Sequence, residues 1–221
     1  MKTKNRSKVL IKYIPGLIIM LILSLCLTGC VTTPSPEPSS STEPTPMPGS
    51  EAEQNMKLYD KDKFSISFPE TWSVVDSEKD TKNDVVFESP IVPNNDGNRF
   101  SSSVSVLVSY FNKEDYNEGK DFNISSYADE AVNYYNLQMS SFELLGKEDT
   151  KVGENDAVLL KFKTRYTFYN TRNCQLISYK TVNNEDKEQI VLYTVSFVAA
   201  DEYYDEYEDV FNKMMETFVI K

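Results

Sequence analysis

The chain has 221 residues, of which 40% are hydrophobic and 26% charged, with 23 basic and 34 acidic side chains and no histidine. Its formal net charge of −11 argues against a nucleic-acid partner, because an acidic surface repels the phosphate backbone. Without histidine, the chain lacks the commonest general base at neutral pH and the commonest metal-ligating side chain.

Residues 1–29 have the organisation of a secretory signal peptide. Five basic residues precede an apolar run at residues 14–27, and the first acidic residue is Glu37. The run is about 14 residues long, which falls short of the ~20 that a membrane-spanning helix needs. We therefore predict that the segment is cleaved, and an uncleaved membrane anchor is the alternative.

The apolar run ends in Leu27-Thr28-Gly29-Cys30. This motif resembles the lipobox of bacterial lipoproteins, in which a leucine lies three positions before a cysteine. The resemblance implies cleavage before Cys30 and a diacylglycerol thioether on its thiol, so that the membrane is a partner through this anchor. More than one acyl chain is needed for stable anchoring. We expect localisation at the extracytoplasmic face of the cell membrane. The abundance of Lys, Asn, Ile and Tyr is typical of an AT-rich genome, which favours a Gram-positive cell surface.

Residues 30–54 are predicted to form a lipidated, disordered linker. Residues 31–50 consist mainly of Pro, Ser, Thr and Glu, a composition that cannot bury enough apolar surface to fold. Its prolines favour an extended chain of ~3 Å per residue, so that about twenty residues reach up to about 60 Å. We expect this stalk to hold residues 55–221 away from the lipid surface.

Cleavage and lipidation would leave Cys174 as the one free thiol among the three cysteines of the sequence. An intramolecular disulfide is then excluded. A nucleophilic cysteine needs a base such as histidine, which the chain lacks. We therefore predict that Cys174 is a small buried apolar side chain.

Residues 55–221 have the length of one domain and begin with strand patterns. Alternating or short apolar segments predict strands at residues 64–68, 72–75, 85–88 and 104–110, with Pro69 ending the first. Ser125 and Ser126 are candidate N-caps of a helix. Its apolar face would contain Ala128, Ala131, Val132, Tyr135 and Met139.

A second run of strands is predicted after this helix, at residues 142–151, 158–168, 174–182 and 189–198. Turns are expected at Gly153 and at residues 183–186. Asp201 and Glu202 suit the start of a final helix. An apolar stripe at a spacing of three or four follows, formed by Tyr204, Tyr207, Phe211, Met214 and Phe218. Strands, a helix, antiparallel strands and a helix make an α+β order.

The two ends of this region resemble PsbP-like domains. The opening contains Tyr59, the aromatic strand and proline of residues 64–69, and Trp72. The end contains Phe197, a helix with Phe211 and Met214, and then Thr217 and Phe218. The resemblance implies a single domain, an α/β/α sandwich around an antiparallel sheet, and a mainly non-catalytic role. Metal binding in plant relatives involves histidine, which this chain lacks, so no metal ligand carries over. We also expect no catalytic residue and no cofactor.

Two acidic or polar segments have some features of cation sites. Residues 94–98 partly resemble a calcium loop, but alignment on Gly97 puts Val92 and Ser103 where acidic ligands belong. The six acidic residues between positions 201 and 209 could gather cations. The solvated face of an amphipathic helix explains them more simply.

A basic stripe on one predicted strand is the most specific candidate for partner binding. Lys161, Lys163 and Arg165 alternate with apolar residues, although the chain from Cys30 onward carries 18 basic and 34 acidic residues, a net charge of −16. Thr194, Ser196 and the serines of earlier strands are expected on the same face. One hypothesis is that this face binds an acidic protein or an anionic glycan, whereas an ordinary solvated sheet face is the simpler interpretation.

The sequence thus favours a surface-anchored, non-catalytic binding or assembly module. One alternative is an envelope hydrolase that uses carboxylates alone. Another is a carrier of a small apolar ligand, which requires an open cavity between sheet and helix.

Overall fold

The computed structural model describes residues 55–76, 84–93, 99–116, 121–139, 141–166, 169–184 and 187–221. Cys30, the linker and residues 94–98 lie outside this part of the chain. The described helices are α1 (Ile124–Gln138) and α2 (Tyr204–Glu216), with a short 3-10 helix at Lys113–Asp115. The strands are β1 (Met56–Asp60), β2 (Phe64–Pro69), β3 (Ser73–Asp76), β4 (Val85–Glu88), β5 (Val92–Pro93), β6 (Arg99–Phe100), β7 (Ser103–Asn112), β8 (Glu143–Val152), β9 (Asn155–Tyr166), β10 (Tyr169–Asn184), β11 (Lys187–Ala200) and β12 (Val219–Ile220).

The main sheet is antiparallel and has seven strands in the order β3-β4-β7-β11-β10-β9-β8. Strands β8 to β11 are neighbours in the sheet and follow one another along the chain. Strand β7 precedes α1 in the chain and pairs with the other edge of β11. Strand β11 is rich in β-branched and aromatic residues, which favour a pleated surface. It is buried continuously from Ile190 to Ala200, because both faces of this central strand are covered.

A smaller sheet contains three strands in the order β1-β2-β12. The predicted strand at residues 64–68 is confirmed and extends to Pro69, and its alternating residues Phe64, Ile66 and Phe68 are buried. Its partners were not predicted. Strand β2 pairs with β1 and with the C-terminal β12, where Val219 lies opposite Ser65, rather than joining the main sheet.

The two faces of the main sheet support separate cores. On one face, α2 and the small sheet pack on the strands, and the Phe197 and Phe211 rings stack with centroids 5.1 Å apart. On the other face, α1 packs on β8, β9 and β10, with the Tyr135 and Phe162 ring centroids 5.5 Å apart. These layers confirm the predicted α+β class and the α/β/α sandwich. Among the residues that the structure describes, no helix is long and apolar enough to cross a bilayer.

The helix boundaries correct two predictions. Helix α2 begins at Tyr204, so Asp201 and Glu202 lie in the turn before it and do not start it. Asn123 is the N-cap of α1, since its side-chain oxygen accepts a hydrogen bond from the Ser126 backbone N–H at 2.9 Å. The predicted caps Ser125 and Ser126 lie instead in the first turn. The first helical residue is the apolar Ile124, which is buried. The predicted apolar faces of α1 and α2 are confirmed.

Candidate functional site

The predicted basic stripe lies on the sheet face that carries α2. The Nζ atom of Lys161 is 2.7 Å from Glu208 Oε1, and that of Lys163 is 3.2 Å from Asp201 Oδ2. Arg165 is exposed near the end of β9. The two lysines therefore have acidic partners within the domain. Partner binding by the stripe stays a prediction, and these ion pairs weaken the case for it.

The acidic run of residues 201–209 supplies those partners. Arg172 on β10 binds Asp201 through Nε and approaches Asp205 Oδ1 to 2.8 Å through Nη1. Burial raises the pKa of Asp201, but the hydrogen bonds and charges of Arg172 and Lys163 outweigh it, so the net pKa lies below its ordinary value. These carboxylates hold α2 on the sheet. Throughout the described ranges, no three potential metal ligands form a cluster.

Strand register corrects the expectation that Thr194 and Ser196 share the basic face. Lys161 lies opposite Cys174, and Cys174 lies opposite Phe197, so all three side chains point towards α2. Thr194 and Ser196 alternate with Phe197 along β11 and therefore point to the α1 side. The β7 residues Ser103 and Ser105 pair with Val198 and Ser196 on that same side.

The Cys174 side chain is confirmed as a buried apolar group. The residue is 1% exposed and belongs to the core beneath α2. Burial raises the pKa of its thiol to about 12, and the neighbouring Lys161 charge lowers it only in part. A thiol in this state is protonated at neutral pH and is a poor nucleophile.

The α1 side of the sheet contains a set of buried side chains that are polar but uncharged. We call this set the neutral polar row. Its six members belong to β9, β10 and β11 and are each buried. They are Thr164, Thr171, Asn173, Gln175, Thr194 and Ser196.

One half of the row is attached to α1. The Tyr135 hydroxyl donates a hydrogen bond to Gln175 Oε1 at 2.9 Å, and Gln175 Nε2 donates to Ser196 Oγ at 3.1 Å. Burial raises the pKa of Tyr135 to about 12, so its hydroxyl keeps its proton at neutral pH. The orientation of the Gln175 amide is therefore set by a donor on one side and an acceptor on the other.

The other half of the row leaves hydrogen-bonding capacity unused. Thr171 donates its hydroxyl proton to the Thr164 carbonyl at 3.3 Å, so it accepts from Asn173 Nδ2 at 3.2 Å. Asn173 Oδ1 and Thr194 Oγ1 have no partner within the described residues, although these two side chains are only 2% and 5% exposed. A buried polar atom without a partner costs about 1–3 kcal/mol.

The sequence interpretation missed the neutral polar row. Thr171, Asn173 and Gln175 occupy alternate positions, and such a pattern usually indicates the solvent side of a strand. The opposite side of this stretch of β10 contains Arg172 and Cys174. The signal was therefore ambiguous until register and helix position were known.

The fold is shared with solved structures of low sequence identity. Cyanobacterial PsbP (CyanoP) from Synechocystis sp. PCC 6803 has 14% identity and a TM-score of 0.50, with 82% of this chain and 98% of that chain covered. LpqN, described as involved in cell envelope biogenesis of Mycobacterium tuberculosis, has 10% identity and a TM-score of 0.52. That comparison covers 76% of this chain and 91% of LpqN.

Sequence comparison points to the same fold. No curated protein matches the chain in sequence. The PsbP family profile matches residues 54–220, which is most of the chain. The chain belongs to the PsbP family.

Proposed function

We propose that this protein is a non-catalytic binding or assembly module, held outside the plasma membrane by a lipid on Cys30. The observation that carries the proposal is the order of three segments in one chain. A motif that resembles a lipobox is followed by a proline-rich segment, and the family match begins at residue 54, where the predicted linker ends. A PsbP-family domain is thereby joined directly to a stalk and an anchor signal.

The compartment is supported by one structural relative. LpqN shares the fold and is described as taking part in cell envelope biogenesis. The identity between the two chains is low, so LpqN does not supply a partner or a process for this protein. It supports the view that a PsbP-like sandwich can serve in a bacterial envelope.

The non-catalytic role is supported by what the charged groups do. Lys161, Lys163 and Arg172 pair with Asp201, Asp205 and Glu208, which attaches α2 to the main sheet. A carboxyl group that serves as a general acid usually has a raised pKa and lies in a cleft. The pKa of Asp201 is lowered instead.

Glu130 on α1 is the carboxyl on which the hydrolase alternative would depend. Burial raises its pKa, and its charge helps to raise the pKa of Tyr116 and Tyr127. Hydrolysis of a glycosidic bond requires a second, suitably spaced carboxylate. We propose that Glu130 is a structural residue at the edge of the aromatic cluster around Phe122.

The anchor is tested by fractionation and mass spectrometry of the native protein. We expect wild-type protein in the membrane fraction, with an N-terminal peptide that begins at Cys30 and carries the mass of a diacylglyceryl group. Cys30→Ala should abolish the diacylglyceryl modification and the N-terminus at residue 30, whereas the matched control Cys26→Ala should retain both. A wild-type protein that begins at Met1, has an unmodified Cys30 thiol and fractionates with the cytosol would overturn the proposal.

A further inference from the structure

Strand β8 lies at one edge of the main sheet, and among the described strands it pairs only with β9. An edge strand leaves one row of backbone N–H and C=O groups open to pairing with another chain. The opposite edge strand, β3, has four residues, whereas β8 has ten. Residues 143–145 and 148–151 of β8 are exposed. A long and accessible strand edge is therefore present on one side of the domain.

The charged side chains of β8 alternate in sign along one face of the sheet. Asp149 lies opposite Val158, which belongs to the core beneath α1, and Lys147 and Lys151 occupy the neighbouring positions on that face. The Lys151 Nζ atom is 3.5 Å from Asp156 Oδ1, and these side chains are 66% and 63% exposed. Asp149 is also exposed. The charges of Asp149 and Lys151 are thus accessible to a partner strand.

Pairing of β8 with the β8 strand of a second copy allows only a few registers. A two-fold axis keeps corresponding side chains on the same face, so one residue must lie opposite itself. Registers centred on any of four charged residues would put like charges opposite each other, which is unfavourable. The four are Lys147, Glu148, Asp149 and Lys151. Gly146 borders the irregularity in the pairing with β9, and Val152 ends the strand, so registers centred there use little of β8.

The register centred on Thr150 avoids all of these contacts between like charges. Thr150 lies opposite itself, and Asp149 of each copy lies opposite Lys151 of the other copy. The two-fold axis therefore creates two pairs of opposite charge on either side of a pair of threonines. Threonine pairs and pairs of opposite charge are both favourable between neighbouring strands. The exposed part of β8 is complementary to itself in this register.

We propose that β8 is an interaction surface for a second copy of this chain, with antiparallel pairing centred on Thr150. The two main sheets then form one continuous sheet across the two-fold axis. About five residues of each strand pair, which is a small contact beside the ~1,000 Å² of a stable interface, so the association is weak in dilute solution. Anchors that hold both copies at one membrane surface would raise their effective concentration. The inference goes beyond the proposed function, and the pairing itself does not require the anchor.

The test uses disulfide formation in the full-length protein purified in detergent. Thr150→Cys places two thiols directly opposite each other, with Cβ atoms about 4.5–5.5 Å apart, which is close to the separation in a disulfide. Glu148→Cys is the matched control, because residue 148 is exposed on the same strand and face. In the proposed register, its two copies lie about 14 Å apart.

Both variants are oxidised by oxygen with copper phenanthroline, and the wild type gives the background from the native cysteines. We expect Thr150→Cys to form a covalent dimer and Glu148→Cys to remain monomeric over the same time. Mass spectrometry of the linked peptides identifies the bond between the two copies of residue 150.

Exchange of charges tests the register in the Thr150→Cys background. Asp149→Lys puts like charges opposite each other in both pairs, and the rate of dimer formation should fall by about tenfold. Addition of Lys151→Asp restores opposite charges in both pairs and should restore the rate. Urea midpoints show that each variant is folded.

Three results would contradict the inference. Absence of the Thr150→Cys dimer would exclude the pairing, and equal dimer formation by Glu148→Cys would indicate random collision. Failure of the double charge exchange to restore the rate would exclude the Thr150 register. In isolated membranes, linkage of Thr150→Cys to a different protein and not to itself would assign the edge to another partner. Lipidation of Cys30 is read separately by mass spectrometry, so a lipidated protein that forms no dimer refutes this inference alone. A protein that forms the dimer without the lipid refutes the anchor alone.

Discussion

Lys161 on β9 and Glu208 on α2 form an ion pair in which Nζ lies 2.7 Å from Oε1. The Tyr204 hydroxyl donates to the same carboxylate oxygen at 3.3 Å. Glu208 therefore connects the first turn of α2, the body of that helix and the main sheet. The interaction explains why a basic stripe and an acidic helix occur in the same domain.

Removal of this carboxylate charge should have a small effect. Because the Lys161 side chain is 43% exposed, solvent screens the pair, and Glu208→Gln should lower the free energy of unfolding by no more than about 1 kcal/mol. Urea titration at low and high salt measures this loss, which should shrink as salt increases. Glu206→Gln, at an exposed position of the same helix, is the control. An equal loss in both variants would contradict the role of the pair.

The contribution of Asp201 to folding stability should depend on pH. The pKa of Asp201 is lowered in the folded state. Its contribution to the free energy of unfolding is therefore complete when the pH is above 3.8, the ordinary pKa, and is lost as the pH falls through the lower pKa of the folded state. Asp201→Asn should therefore be less stable than wild type at pH 6, and the difference should narrow below pH 3.8. Urea midpoints across this range test it. Asp149→Asn, at an exposed position on β8, should show no such convergence, and a constant difference for Asp201→Asn would refute the prediction.

The buried hydroxyl of Tyr135 should contribute measurably to the stability of the fold. Tyr135→Phe removes the donor to Gln175 Oε1 and leaves a buried acceptor unpaired, so we expect a loss of about 1–3 kcal/mol in the free energy of unfolding. Tyr134→Phe on the same helix is the control, since Tyr134 is only half-buried. Chemical denaturation of both variants makes the comparison. Equal stability of Tyr135→Phe and wild type would show that the bond contributes nothing.

Thiol counting should report both burial and processing. The Cys174 thiol is buried and its pKa is raised to about 12, so the native protein should not react with a thiol reagent at pH 8. After unfolding, we expect one reactive thiol per chain, because the proposed maturation removes Cys26 and blocks Cys30. Three thiols would contradict that maturation. Rapid reaction of the folded protein would contradict the burial of Cys174.

The start of α1 should depend on Asn123 rather than on a serine. Asn123→Ala removes the side-chain acceptor of the Ser126 N–H and should cost about 1 kcal/mol. Ser126→Ala retains that N–H and should cost less. Thermal unfolding of the two variants separates the interpretations, and a greater loss for Ser126→Ala would restore the serine cap that the sequence suggested.

Local periodicity made much of the fold predictable. Phe64, Ile66 and Phe68 alternate because one side of β2 is buried, and the apolar stripe of α2 repeats every three or four residues because one side of that helix is buried. Such patterns involve residues that are close together in the sequence, so they can be recognised without the structure. The pairing of β2 with β12 joins segments about 150 residues apart, and no local pattern encodes it.

The amino-acid sequence alone supplied the predicted anchor motif, the proline-rich composition of residues 31–50, the lack of histidine and the α+β class, since each depends on residue type or short-range spacing. Tertiary structure decided which charges neutralise one another and which polar side chains are buried. Lys161 pairs with Glu208, and Thr194 lies on the sheet face opposite the basic stripe. Both follow because strand register and helix docking assign each side chain to a face. Those assignments arise from contacts between distant segments, and they exist only once the chain has folded.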